Sequence, residues 1–284
     1  MGSEPIQPRS DVPMPSFAVS IATLSLLQAA LVALPRPWRF DWLERFRNPW
    51  WALVPALSIV VVIGIVALEN ESATALSWLA LVAVPPFAAL ALGWLVRGAR
   101  PGWALAVVPF FALAWASPGS LAGETAATAL TALGCVGLGW LLVAVAPASW
   151  LKLGIYAMAI VDTWFVASDL LQGPNAVLTA AAPSGLPRLQ AIHFGSALMG
   201  FGDLFIAAIL GCLLAAERTR QVRAALLVAV LALAFDLLFL AVDTLPATVP
   251  VALALALIEL RGRRAPTPRS SRSPRQRQRA GPRA

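Results

Sequence analysis

The sequence predicts an all-α, polytopic membrane protein with nine transmembrane helices, its N-terminus outside and its C-terminus cytoplasmic. Three observations lead there. Of 284 residues, 59% are hydrophobic and only 12% are charged, with a mean hydropathy of +0.78, which is too little polarity to cover a surface in water. Apolar runs recur at lengths near the roughly 20 helical residues that cross a hydrocarbon layer of about 30 Å. The 21 Lys and Arg residues fall on alternate sides of these runs, 2 against 19.

The runs lie at 17–34, 51–68, 76–96, 103–116, 126–146, 151–171, 191–216, 224–245 and 246–260, the fourth and ninth being short. Each is read as a helix, because lipid offers no partner to an open backbone and the alternating pattern of an outer-membrane barrel is absent. A short extracytoplasmic segment, 1–16, precedes the first five helices, 17–150. Within these, the stretch 35–50 mixes Trp38, Trp42, Phe46 and Trp50 with four arginines, as a segment lying at headgroup level does. The last four helices, 151–260, form the half expected to carry function, and 261–284 form a basic, disordered cytoplasmic tail.

Orientation follows from the basic residues. The crowded side comprises the loops after spans one, three, five and seven together with the tail, and positive residues stay in the cytoplasm. Omitting one span would scramble this partition, so the asymmetry supports an odd number of crossings. The first span has no basic region before it and no small-residue cleavage site after it, so it reads as a retained helix. The expected location is the cell membrane, crossed many times, with the lipid bilayer as surroundings. Nine of the 21 basic residues follow Leu260 among Pro, Ser and Gln, a composition suited to anionic lipid rather than nucleic acid.

Several chemistries are poorly served. One histidine, His193, and two distant cysteines, Cys135 and Cys212, supply neither a zinc tetrad nor a disulfide framework. No HExxH is present, so a membrane metalloprotease is excluded, and neither a metal nor another cofactor is expected. Ser196 follows His193 by three residues on one segment, whereas a serine nucleophile needs its base on a facing element.

The informative residues are acids inside apolar spans, where an ionised carboxylate costs about 2.5–3.5 kcal/mol or more at the centre. Asp162 and Asp203 are expected at similar depth near the middle of the sixth and seventh spans, which are antiparallel neighbours. Asp236 is central in the eighth, while Asp169, Asp243 and Glu259 sit nearer span ends, as interface or capping groups do. Gly200 and Gly202 flank Asp203 in GFGD, where missing side chains admit another helix or an extended backbone; a simple packing seam is the alternative. Pro246, Ala247 and Thr248 open the ninth span, and Pro246 and Pro250 leave carbonyls without intrahelical donors that a substrate strand can use.

With these residues in place, the sequence resembles the GxGD intramembrane aspartyl proteases, the presenilin and signal peptide peptidase family. That family has nine spans, a catalytic Asp in Tyr-Asp on the sixth, a second in GxGD on the seventh and Pro-Ala-Leu at the ninth. The matching positions are Val161 and Asp162, Gly200 to Asp203, and Pro246 to Thr248, with Gly173 and Pro174 resembling the Gly-Pro that follows the first Asp in presenilins. The likeness covers roughly 151–260. Val161 stands for the motif tyrosine and Thr248 for the motif leucine, departures that bear on substrate positioning and on whether the chain is active. The orientation is that of signal peptide peptidases.

The resemblance implies a hydrolase acting on transmembrane-helix or signal-peptide-like substrates, with Asp162 and Asp203 catalytic and Gly200, Gly202, Pro246, Ala247 and Thr248 binding substrate. Two carboxyls in a low dielectric share one proton, so one can activate water while the other polarises the scissile carbonyl. Two other readings stay open. One is a proton-coupled transporter with Asp162, Asp203 and Asp236 as a relay. The other is an inert homologue that binds membrane peptides.

Overall fold

The computed structural model describes residues 16–38, 41–53, 70–168, 185–242 and 244–264. Among them are eight α-helices: α1 (Phe17–Ala33), α2 (Asn70–Leu90), α3 (Val107–Ala116), α4 (Leu121–Val145), α5 (Ala148–Ala167), α6 (Phe201–Leu214), α7 (Arg218–Asp236) and α8 (Val249–Arg264). Most of the second predicted span, together with Asp169, Gly173, Pro174 and Asp243, lies outside the described residues.

Four helical stretches, Thr74–Leu95, Leu121–Val145, Ala148–Ala167 and Arg218–Leu240, are long and apolar enough to cross a membrane. Three shorter apolar ones accompany them: Phe17–Ala33, Pro101–Ala116 and Phe201–Leu214. The distribution of side chains is that of a membrane protein. Leu240, Val82 and Ile160 are 89%, 71% and 70% exposed, whereas Ser20, Ser25, Gln28, Thr131, Gln221 and Thr248 are buried. Polar groups turned inward with apolar groups turned outward suit a lipid surround, where exposed leucine costs nothing and unpaired polar groups are expensive.

The helix α2 carries Pro85 and Pro86 in its interior and ends in a π-helical turn, Ala91–Leu95, where Val96 N–H reaches back to the Ala91 carbonyl at 3.0 Å. In the predicted interfacial stretch, short 3-10 turns at Asp41–Phe46 and Pro49–Leu53 leave Trp38, Phe46, Trp50 and Trp51 exposed, with the Arg36 guanidinium 5.0 Å from the Trp38 ring centre.

The core is built around α4 and α6. Backbones approach where glycine permits it: a Cβ on Gly139 of α4 would lie 3.2 Å from Ile209 N in α6, and one on Gly211 of α6 would lie 2.6 Å from the Leu31 carbonyl oxygen in α1. The helix α1 therefore lies directly against α6, and on another side it packs along α7.

The seventh predicted span departs from expectation. Instead of one helix over 191–216, the chain forms an antiparallel hairpin, β1 (Ala191–Phe194) and β2 (Ala197–Gly200), and only then enters α6. The reason is local. Gly195 has φ +60 and, with Ser196, makes the two-residue connection between Phe194 and Ala197, a turn that glycine at its first position allows. The helix α4 then holds the hairpin: Gly195 N–H donates to Glu124 Oε2 at 2.8 Å, Thr128 Oγ1 to the His193 carbonyl at 3.4 Å, and Thr131 Oγ1 to the Leu189 carbonyl at 3.3 Å. Paired strands tied to side chains satisfy the backbone as a helix would.

Candidate functional site

Asp162 is carried by α5, whose apolar length gives it a helix, with Met158 and Ala159 buried in the turn before it. Asp203 is carried by the first turn of α6, the third residue of that helix, rather than deep within a longer one. Its position makes it a cap: Gly200 N–H, left without an intrahelical acceptor, donates to Asp203 Oδ2 at 3.1 Å. Gly202, the neighbour of Asp203, lies against Met158, one turn before Asp162 on α5. The two acids on which the expected dyad rests are thus brought together by adjacent packing of α5 and α6.

The glycines of GFGD have distinct roles. A Cβ on Gly202 would sit 3.1 Å from Met158 Cε, so its absence admits the α5 side chain one turn before Asp162. A Cβ on Gly200 would sit 3.1 Å from Asp203 Oδ2, crowding the carboxylate. Gly200 thus clears space beside the Asp203 carboxylate and Gly202 clears space for Met158, which extends the packing-seam alternative rather than excluding it.

The third segment arrives from the chain before α8. Thr248, 1% exposed, donates its hydroxyl to Asp162 Oδ2 at 2.7 Å, and its N–H points to the same oxygen at 3.5 Å. With no N–H on Pro250, the Pro246 carbonyl accepts instead from Val249 N–H at 3.2 Å. The Ala247 carbonyl accepts from Gln28 Nε2 at 2.8 Å. Farther along the same helix pair, Lys152 of α5 meets Glu259 of α8 at 2.8 Å, with the Tyr156 hydroxyl 3.4 Å from that carboxylate. Glu259 is thus an interhelical ion-pair partner, in keeping with its expected peripheral role.

Asp236 has another environment. Ser25 of α1 donates its hydroxyl to Asp236 Oδ2 at 2.8 Å, so this third acid is held between α1 and the end of α7. His193 lies in β1 and Ser196 in the hairpin turn, where Ser196 N–H donates to Ser20 Oγ at 3.3 Å. Among the described residues no group of three or more His, Cys, Asp or Glu is arranged to hold a metal ion.

Sequence reasoning missed Gln28. Its side chain is 1% exposed, and besides Ala247 it donates to the Asp203 carbonyl at 3.1 Å. The signal was present: it is the one long polar side chain in the apolar helix FAVSIATLSLLQAALVA. Comparison of the chain with protein-family models, with curated proteins and with solved structures found no match.

Proposed function

We propose that this chain is an intramembrane aspartyl protease, a multi-pass cell-membrane enzyme that hydrolyses transmembrane-helix or signal-peptide-like substrates with Asp162 and Asp203. The observation that carries the reading is convergence. Asp162 of α5, the GFGD turn of α6 and Thr248 before α8 are separated by tens of residues, yet Thr248 bonds Asp162 and the GFGD turn packs against the α5 turn before it, in one partly buried polar cluster. A packing seam accounts for the glycines and for the cap that Asp203 makes; the proposal assigns chemistry to the second, neighbouring carboxyl, which is costly within an apolar helix. Asp236, which a three-acid relay would need, bonds Ser25 of α1 rather than Thr248 or the GFGD turn. The pattern resembles the GxGD family of presenilins and signal peptide peptidases, and nine spans with the N-terminus outside and the C-terminus cytoplasmic belong to the same proposal.

The chemistry needs no cofactor. With one proton shared between the acids, the carboxylate takes a proton from water as its oxygen attacks the scissile carbonyl, and the protonated partner donates to the carbonyl oxygen. Collapse of the tetrahedral adduct breaks the C–N bond and sends a proton to the leaving amine. The products are a new carboxyl and a new amine, and the dyad returns to one shared proton. Because a helical substrate has satisfied amides, it must be held extended. The strand β2 runs straight into Gly200 and Asp203, so a peptide added along it would pass the acids, with Gly200, Gly202, Pro246, Ala247 and Thr248 as its surroundings.

The test is hydrolysis of a single-span peptide by purified protein in H₂18O. Cleavage inside the apolar segment with one 18O in the new carboxyl fits water activation. An intact peptide, with carboxylate-dependent proton flux across vesicles containing the protein, would favour the transporter.

A further inference from the structure

The buried amide of Gln28 joins two parts of the site that the sequence separates widely. Its Nε2 donates to the Asp203 carbonyl at 3.1 Å and to the Ala247 carbonyl at 2.8 Å. The next residue, Thr248, holds Asp162 through its hydroxyl at 2.7 Å. A continuous bridge thus runs from Asp203 through Gln28 to the Pro246–Thr248 loop and on to Asp162. The helix α1, which presents Gln28, is itself seated against α6 at Gly211, so the amide has a fixed base from which to act.

We infer that Gln28 is a positioning residue of the aspartyl site, whose amide sets the spacing of the two catalytic carboxyls by clamping the GFGD helix to the loop that holds Asp162. This rests on the protease reading. A primary amide suits the task because its NH₂ carries two donors, one for each carbonyl, and carries no charge that would compete for the carboxylates. Both acceptors are main-chain oxygens, so the clamp acts on backbone position rather than on a side-chain rotamer. Gln28 touches neither carboxyl group in the hydrogen bonds it makes to these carbonyls, and so its role is geometric. A misplacement of about 1 Å at a reacting centre costs about 100-fold in rate.

Ser25, one turn earlier on α1, provides the internal control. It makes a comparable part-buried hydrogen bond, to Asp236 at 2.8 Å, and belongs to no part of the dyad bridge. The experiment uses full-length protein in bilayers with a cleavable single-span peptide and an inhibitor bearing a tetrahedral hydroxyl, which reads the carboxyl spacing directly. Gln28→Leu should lower kcat by about 10- to 100-fold while KM changes less than about 3-fold, with inhibitor affinity falling alongside kcat. Gln28→Asn, which keeps the amide on a shorter arm, should fall between Gln28→Leu and wild type, and it carries the test if the leucine variant does not fold. Ser25→Ala should keep kcat within about 2-fold. Unchanged kcat in both Gln28 variants, or losses in Gln28→Asn and Ser25→Ala that simply track their loss of thermal stability, would overturn the inference and leave the protease reading intact. Wild type that cleaves nothing, or Asp203→Ala that still cleaves, would overturn both.

Discussion

The hydroxyl of Thr248 donates to Oδ2 of Asp162 at 2.7 Å, although the two residues are 86 positions apart and lie on separate elements. Thr248 is where the chain departs from the leucine of the motif it resembles, and the departure supplies a donor to the acid. A hydrogen bond to a charged group contributes about 1.5–3 kcal/mol. Thr248→Val keeps the shape and removes the donor, so kcat for a transmembrane peptide should fall about 10-fold or more, whereas Thr248→Ser should retain most of it. Equal activity in Thr248→Val and wild type, measured on one substrate, would remove Thr248 from the site.

Asp236 separates the enzyme from a relay. Its partner is Ser25, and Asp236→Asn keeps the shape and hydrogen-bonding capacity at that position. A protease with its dyad on α5 and α6 should keep within about 3-fold of wild-type cleavage, since no charge at this position enters the reaction. A transporter relaying protons through three carboxylates should instead lose its flux, which a vesicle acidification assay reads.

Orientation is open to reporter fusions. A reporter joined after Arg223 or in the basic tail should report cytoplasm, and one joined at Gly119 should report the outside, because 19 of 21 basic residues fall on one set of loops. Reversed signals would contradict the signal-peptide-peptidase-like placement of the site.

Packing at Gly211 should control stability. A Cβ there would meet the Leu31 and Val32 carbonyl oxygens at 2.6 and 2.8 Å, whereas one on Gly102 meets nothing within 4 Å. Gly211→Ala should destabilise the protein by about 1–3 kcal/mol through forced separation of α1 and α6. Gly102→Ala should change it little. Unfolding in detergent measures both.

Helices were legible because an apolar run of membrane-crossing length leaves the backbone few alternatives: α4, α5 and α7 overlap the expected spans, with α7 displaced toward the N-terminus by six residues at its start. The hairpin was hidden by the same signal: AIHFGSALMG is apolar enough to extend the run before Asp203. Its mark was Gly195-Ser196 between two four-residue stretches, a two-residue turn signature. Reading through that turn put Asp203 in the middle of a helix when it belongs to the first turn of one. The acids stand out in sequence because charge is costly in lipid, and the glycines because they flank Asp203 in GFGD. Gln28 gave a weaker mark, as the one long polar side chain in its apolar helix, and its two carbonyl partners come from elsewhere in the chain. Long-range pairing of that kind has no local periodicity to betray it.

The most direct measurement is cleavage of a single-span peptide by wild type, Asp162→Ala and Asp203→Ala at equal expression in the same bilayer. Either substitution removes the base that activates water or the acid that polarises the carbonyl, and such a pair fails as a unit. Wild type should cut within the apolar segment, and each alanine variant should lose cleavage by at least about 1,000-fold, with the double variant no worse. Cleavage that survives Asp162→Ala or Asp203→Ala would contradict the two-aspartate site.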